Sequence, residues 1–276
     1  MGFILIKGTF HVKGYSPDGD SIKFKAKNSR NWLKIGGRVK LNRKSHAQLR
    51  FEAIDTLETH YNRRHQPNHY AHGAMNSLLT MLNITNVQWN NAATRITSAE
   101  DGTDGYILTR EAERYGRPVA FVFAGSTQLK DGSDVFLTPQ MMRDSSNYQL
   151  IDTGMAYPTY YAGLFHDLRE EMSKAAVSAR NNGVGLHSVD KTFSGFEVTG
   201  VNALQNQHVI LPKLFRRLIA HLDDGNTIRT FKSDLEDNPE KVLIVSRGHF
   251  THFDNLIDVT GKTVKMNHPI EDVVFL

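Results

Sequence analysis

The 276 residues contain no cysteine. Disulfides, zinc–thiolate sites and thiol nucleophiles are therefore excluded. Long apolar runs are missing as well. The N-terminal stretch MGFILIKGTFHVKG holds a single four-residue apolar run, Phe3 to Ile6, before Lys7. That is too short for the hydrophobic core of a secretory leader, and no later stretch reaches membrane length. The expected location is cytoplasmic, with no membrane partner. Low-complexity tracts and internal repeats are also absent. Neither sign of charge dominates: 33 Lys and Arg against 29 Asp and Glu give a formal +4. The pI near 9.1 is compatible with a polyanionic partner without establishing one.

What is present is an ordinary globular composition, 39% hydrophobic and 22% charged. Residues 3–26 alternate as two strands around SPDGD, where Pro17, Asp18 and Gly19 favour a turn. The basic stretch from Lys27 to Asp55 holds a Gly36–Gly37 break and reads as a long hairpin arm returning to a strand at 50–55. Apolar residues recur at helical spacing over 68–83 and again over 162–182, with Gly183 as a stop. Strands are expected across 93–110 and 118–124. After residue 197 come a short helix, PKLFRRLIAHL, and the strand candidates VLIVSR, NLIDVT, KTVKMN and DVVFL. The pattern predicts an α+β protein with a mostly antiparallel sheet over 1–197, and a small β-rich α/β extension over 198–276 of unassigned role.

The chemistry concentrates in RFEAIDTLETHY, residues 50–61. It opens as a strand, then places Asp55, Thr56 and Glu58 where the strand should stop. Hard cations take oxygen ligands and rarely find enough on one strand, so further donors must come from elsewhere. The SPDGD turn offers Asp18 and Asp20, and the strand end offers Asp55 with the Thr56 carbonyl. Glu58 lies three residues beyond Asp55, placed to touch a metal-adjacent water as a general base. Arg50, and Arg114 and Arg117 of RYGR, bring guanidinium groups suited to a phosphorane.

Taken in order, DGDSIKF, RFEAIDTLETHY, ERYGRPVAFVFA and GMAYPTYYAGLFHDLREEMSKAAVSAR resemble the staphylococcal nuclease (thermonuclease) family over roughly residues 8–190. The resemblance implies an OB-type five-stranded β-barrel with flanking helices and a Ca²⁺-dependent phosphodiesterase acting on DNA and RNA, with Mg²⁺ or Mn²⁺ as substitutes. It implies metal ligation by Asp20, Asp55 and the Thr56 carbonyl, with Glu58 as base and Arg50 and Arg117 as phosphate clamps. Arg114 and Tyr115 are implied on the phosphate side, and Tyr157, Tyr160 or Tyr161 as base-stacking aromatics. The match departs at Leu57, where many relatives have proline, and in longer segments before Arg50 and Arg117.

Plainer readings exist for each piece. Asp18 to Asp20 also fit a bare hairpin turn, and Asp55 with Glu58 a capping pair. Arg114 and Arg117 also fit a charge cluster with Glu111 and Glu113, and Tyr157 to Tyr161 fit core packing. His60, His65, His69 and His72, and His249, His252 and Asp254, invite a second metal site or a zinc hydrolase. Strand alternation separates these side chains, so a surface role is expected instead. The competing functional class is a non-catalytic nucleic-acid-binding module on the same barrel. Residues 198–276 are the expected place for a protein partner or self-association.

Overall fold

A computed structural model of the protein describes residues 2–91 and 93–276. The chain forms two compact units, one of residues 1–52 and 75–150, the other of 53–74 and 151–276. The architecture is mixed α+β, and no helix among the described residues is long and apolar enough to cross a membrane.

In the first unit a nearly closed, barrel-like sheet runs in the order Ala47–Gln48, Lys23–Ala26, Phe3–His11, Thr103–Ala112, Pro118–Ala124, Arg50–Phe51. Asp134–Val135 pairs beside Phe3–His11 as a further short strand. The near-closure has a local cause. The two end strands of that order are consecutive in the chain, separated only by Leu49. On one side this stretch bonds back to the SPDGD hairpin: Leu49 N–H donates to Ile22 O at 2.9 Å and Phe51 N–H to Asp20 O at 2.9 Å. On the other side Arg50 and Phe51 lie parallel to Val119 and Ala120. One short segment thus belongs to both ends of the sheet, and six strands stand where five were expected. Phe10, Phe24 and Phe121 fill the interior.

Two local expectations give way. The basic arm does return, with Ala47–Gln48 antiparallel to Lys23–Ala26, but its outward limb is not a strand: Asn28 accepts from Arg30 N–H and caps a 3₁₀ helix, Ser29–Lys34. The strand expected at 50–55 breaks in two, because Ala53 takes a left-handed φ of 69°. Arg50–Phe51 ends in the first unit, and the chain enters the second unit after Glu52.

In the second unit Ile54–Asp55 pairs antiparallel with Tyr157–Pro158. A four-stranded sheet has the order Tyr160–Tyr161, Val273–Phe275, Lys241–Ile244, His249–His252, and a three-stranded sheet joins Phe196–Glu197, Thr263–Met266 and Ile257–Thr260. Helices His166–Asn181 and Pro212–Asp223 match the apolar stripes in the sequence. Leu57, Ala71 and Tyr157 share one core with Leu214, Phe215, Leu218 and Phe275. The last eighty or so residues are thereby part of the same hydrophobic core as residues 53–74.

Candidate functional site

The residues singled out from the sequence fall in both units, and each group has its own geometry. In the first unit, Asp20 lies within the reverse turn in which Asp18 and Ser21 exchange backbone hydrogen bonds at 3.2 and 3.4 Å. Its carbonyl receives Phe51 N–H, which fixes the hairpin beside Arg50. Val119 stands opposite Arg50 in the parallel register. Arg117 immediately precedes the strand that carries Val119, while Phe51 and Ala120 are buried in the core. Buried Asn147 locks this corner. Its amide nitrogen donates to Glu52 O at 2.9 Å and Ala120 O at 3.0 Å, and its oxygen accepts from Val122 N–H at 2.9 Å.

Arg117 holds Glu113 through Nε at 3.0 Å. Burial opposes ionisation of Glu113, yet the hydrogen bonds and charge of Arg117 outweigh it and keep the carboxyl below its ordinary range. This is the charge pairing anticipated as the plainer reading. Gly116, at φ 81°, turns the hairpin, and Tyr115 projects from it 60% exposed. The Arg114 guanidinium lies 4.7 Å over the Tyr115 ring and that of Arg117 5.9 Å, so an exposed aromatic face is flanked by two cations.

In the second unit Asp55 and Glu58 meet on a residue that the sequence reading missed. Arg216, in helix Pro212–Asp223, forks onto Asp55 with Nη1–Oδ1 3.0 Å and Nη2–Oδ2 2.7 Å. The same Nη1 donates to Glu58 Oε1 at 2.5 Å. Burial alone would discourage the guanidinium charge; the two carboxylates outweigh it and hold Arg216 well above its ordinary pKa.

Gln66, fully buried, builds the frame. It accepts from Glu58 N–H at 3.2 Å, its own N–H donates to Glu58 O at 2.8 Å, and its side-chain amide donates to Ile210 O at 2.8 Å. The Glu58 backbone is thus tied to the segment that leads into the helix bearing Arg216. Arg64 secures the far end of that helix, with Nη2 2.8 Å from Asp223 Oδ1. No helix begins at Asp55, so the capping alternative fails.

Other predicted residues sit elsewhere. Tyr157 and Tyr160 are buried in the second unit, with Tyr157 Oη donating to Asp190 Oδ1 at 2.9 Å and Tyr160 Oη accepting from Ser173 Oγ at 3.1 Å. Enclosed rings offer no face to a base, so both act as core packing. Tyr161 is half-buried, 5.9 Å from the Phe275 ring. Thr56 is buried at the strand end. Among the described residues no group of three or more His, Asp or Glu side chains is close enough together to hold a metal, the histidine clusters included. Leu57 is fully buried in the second unit's core.

No protein-family model matches the chain, and no curated protein matches it.

Proposed function

We propose that the chain is a metal-dependent phosphodiesterase cleaving DNA or RNA, single strands favoured, with Ca²⁺ as the working cation and Mg²⁺ or Mn²⁺ as substitutes. The observation that carries this reading is the meeting of Asp55 and Glu58 on one cationic nitrogen of Arg216. These two carboxylates already hold a positive charge through oxygen donors alone, the ligand chemistry that suits a hard divalent cation. By motif position Asp20, Asp55 and the Thr56 carbonyl would hold that cation, which when bound supplies positive charge to polarise the phosphoryl group. Glu58 takes the proton of the attacking water. Arg50 and Arg117 donate to the phosphoryl oxygens as charge grows on them, and Arg114 with Tyr115 engages a neighbouring phosphate. The finer assignment of the barrel-like sheet to the OB type belongs to the same proposal.

Arg216 sets a condition. A guanidinium on both carboxylates competes with any cation, so the cleaving state has Arg216 displaced. The same ion pair favours a second reading, a non-catalytic nucleic-acid-binding module, since carboxylates held by arginine are engaged already. Cleavage of labelled single-stranded DNA and RNA in Ca²⁺, Mg²⁺ or EDTA separates the two. Ca²⁺-dependent cutting that Glu58→Gln lowers by about two orders of magnitude or more, with binding retained, is the outcome expected. Binding without cutting, in the wild type and in Arg216→Gln alike, would establish the binding module instead.

A further inference from the structure

A second concentration of charge lies wholly within the first unit and takes no part in the chemistry above. A cavity of about 770 Å³ is lined by His11, Lys13, Lys25, Lys44, His46 and Arg95. Asp101 is the one carboxylate among the described lining residues, and its Oδ2 accepts from the backbone N–H groups of Val12 at 2.7 Å and Lys13 at 2.8 Å. Among the described residues no carboxylate pairs with the side chains of Lys13, Lys25, Lys44 or Arg95. Four cations therefore face one concave space with a single acid, Asp101, whose Oδ2 also lies 4.0 Å from His11 Nδ1, so positive charge is in excess there. Like charges gathered without counter-charge cost stability unless an anion joins them.

The walls are fixed rather than floppy. Gly14 N–H donates to Ile96 O at 2.8 Å and Ile96 N–H to Tyr15 O at 2.9 Å, which ties the Arg95 segment to the first strand's end. Asn42 Oδ1 accepts from Lys44 N–H at 2.9 Å and His46 N–H at 3.0 Å, shaping the loop that presents Lys44. The His11 and His46 rings stack with centroids 4.2 Å apart. Asn42 Nδ2 donates to Tyr15 Oη at 2.8 Å, and Tyr15 Oη lies 3.1 Å from His46 Nδ1, which holds the His46 ring in place. Burial first, then His11, Lys25 and Lys44, push His46 down to about 4, against a smaller opposing pull from Asp101. The field at the cavity is thus positive even with both imidazoles neutral. A second cavity, about 430 Å³, shares Lys25 and adds Lys27, which extends the basic surface beyond the span of one anion group.

We propose that this basic cavity is a binding site for phosphate groups, taking either a free oligophosphate or consecutive phosphates of a nucleic-acid strand. Lysine and arginine supply the charge, and neutral imidazole supplies N–H donors to phosphate oxygens. The proposal does not depend on the chain being a nuclease.

Its test uses the full chain in EDTA, where cation-dependent cutting is off. Binding of sodium tripolyphosphate by calorimetry and of a labelled single-stranded oligonucleotide by anisotropy is measured at low and at physiological salt. The cavity triple Lys25→Ala/Lys44→Ala/Arg95→Ala is compared with the remote triple Arg229→Ala/Lys241→Ala/Lys262→Ala, which removes the same charge from exposed positions of the second unit. The cavity triple is expected to weaken binding about tenfold or more and to reduce the oligonucleotide salt slope by about 2, since each single-strand phosphate contact contributes about 0.7. The remote triple is expected to change affinity by less than about twofold. Independently of any variant, the His11 and His46 ring proton signals of the wild type should shift on adding tripolyphosphate. Competition shows the source: tight tripolyphosphate binding with no oligonucleotide binding indicates a free oligophosphate, and the reverse indicates a strand. Equal losses in both triples, unmoved histidine signals, or no binding of either anion would overturn the proposal.

Discussion

Replacing Arg216 with glutamine removes the cation shared by Asp55 and Glu58 and leaves two carboxylates, 9% and 14% exposed, without it. Breaking a buried pair from one side costs about 3–5 kcal/mol, so chemical denaturation in EDTA should show a loss of that order. The same variant should bind Ca²⁺ more tightly than the wild type, read by terbium luminescence or calorimetry, and Ca²⁺ should recover part of the lost stability. Unchanged cation binding in Arg216→Gln would mean that the carboxylates serve only the ion pair. His46 gives a pH prediction at the same scale. Its folded pKa, about 4, lies below its unfolded value, so the unfolded chain binds the extra proton first. Stability should therefore fall as pH drops from about 6.5 towards 4, and His46→Gln should flatten that part of the profile in pH-dependent melts. Asp55 and Glu58 could be picked out as candidates in the sequence because they crowd one strand end, and Arg114 and Arg117 because they flank one turn. Arg216 and Gln66 were not, for their partners lie 161 and 144 residues away in the chain.

Helices were the most readable elements. The apolar stripe of PKLFRRLIAHL predicts the helix Pro212–Asp223, and Leu214, Phe215, Leu218 and Ile219 are buried along it. Phe215→Ala should cost about 3–5 kcal/mol through the cavity it leaves, measurable by denaturant unfolding. It should also loosen Arg216, one residue on, and raise Ca²⁺ affinity in the direction of Arg216→Gln. The strand at 50–55 was read as continuous because its composition does not mark the break. Its two halves answer to different partners, Val119–Ala120 and Tyr157–Pro158, and Ala53 absorbs the change of direction at φ 69°. The basic arm returns antiparallel at Ala47–Gln48, yet its limbs are not a regular strand pair, because the backbone follows a 3₁₀ turn and a neighbouring strand edge, with Gly36 N–H donating to Arg110 O and Lys40 N–H to Gly116 O.

At the scale of the molecule, a chain cut after residue 197 should not behave as a trimmed barrel with its extension removed. Leu57, Ala71, Tyr157 and Leu186 pack in one cluster with Leu214, Phe231, Val242 and Phe275. Truncation should uncover that cluster, giving dye binding or aggregation and the loss of one cooperative transition in calorimetry; a soluble truncate with unaltered melting would contradict this. By itself the sequence determined the α+β class, the principal helices and most tail strands, because periodicity and turn chemistry are local properties. Tertiary structure alone decided that the sheet nearly closes through the segment around Leu49. It also decided that Tyr157 and Tyr160 are core and that Arg216 sits on Asp55 and Glu58. Those outcomes depend on pairings between distant segments, and local pattern carries no record of which distant partner a residue will meet.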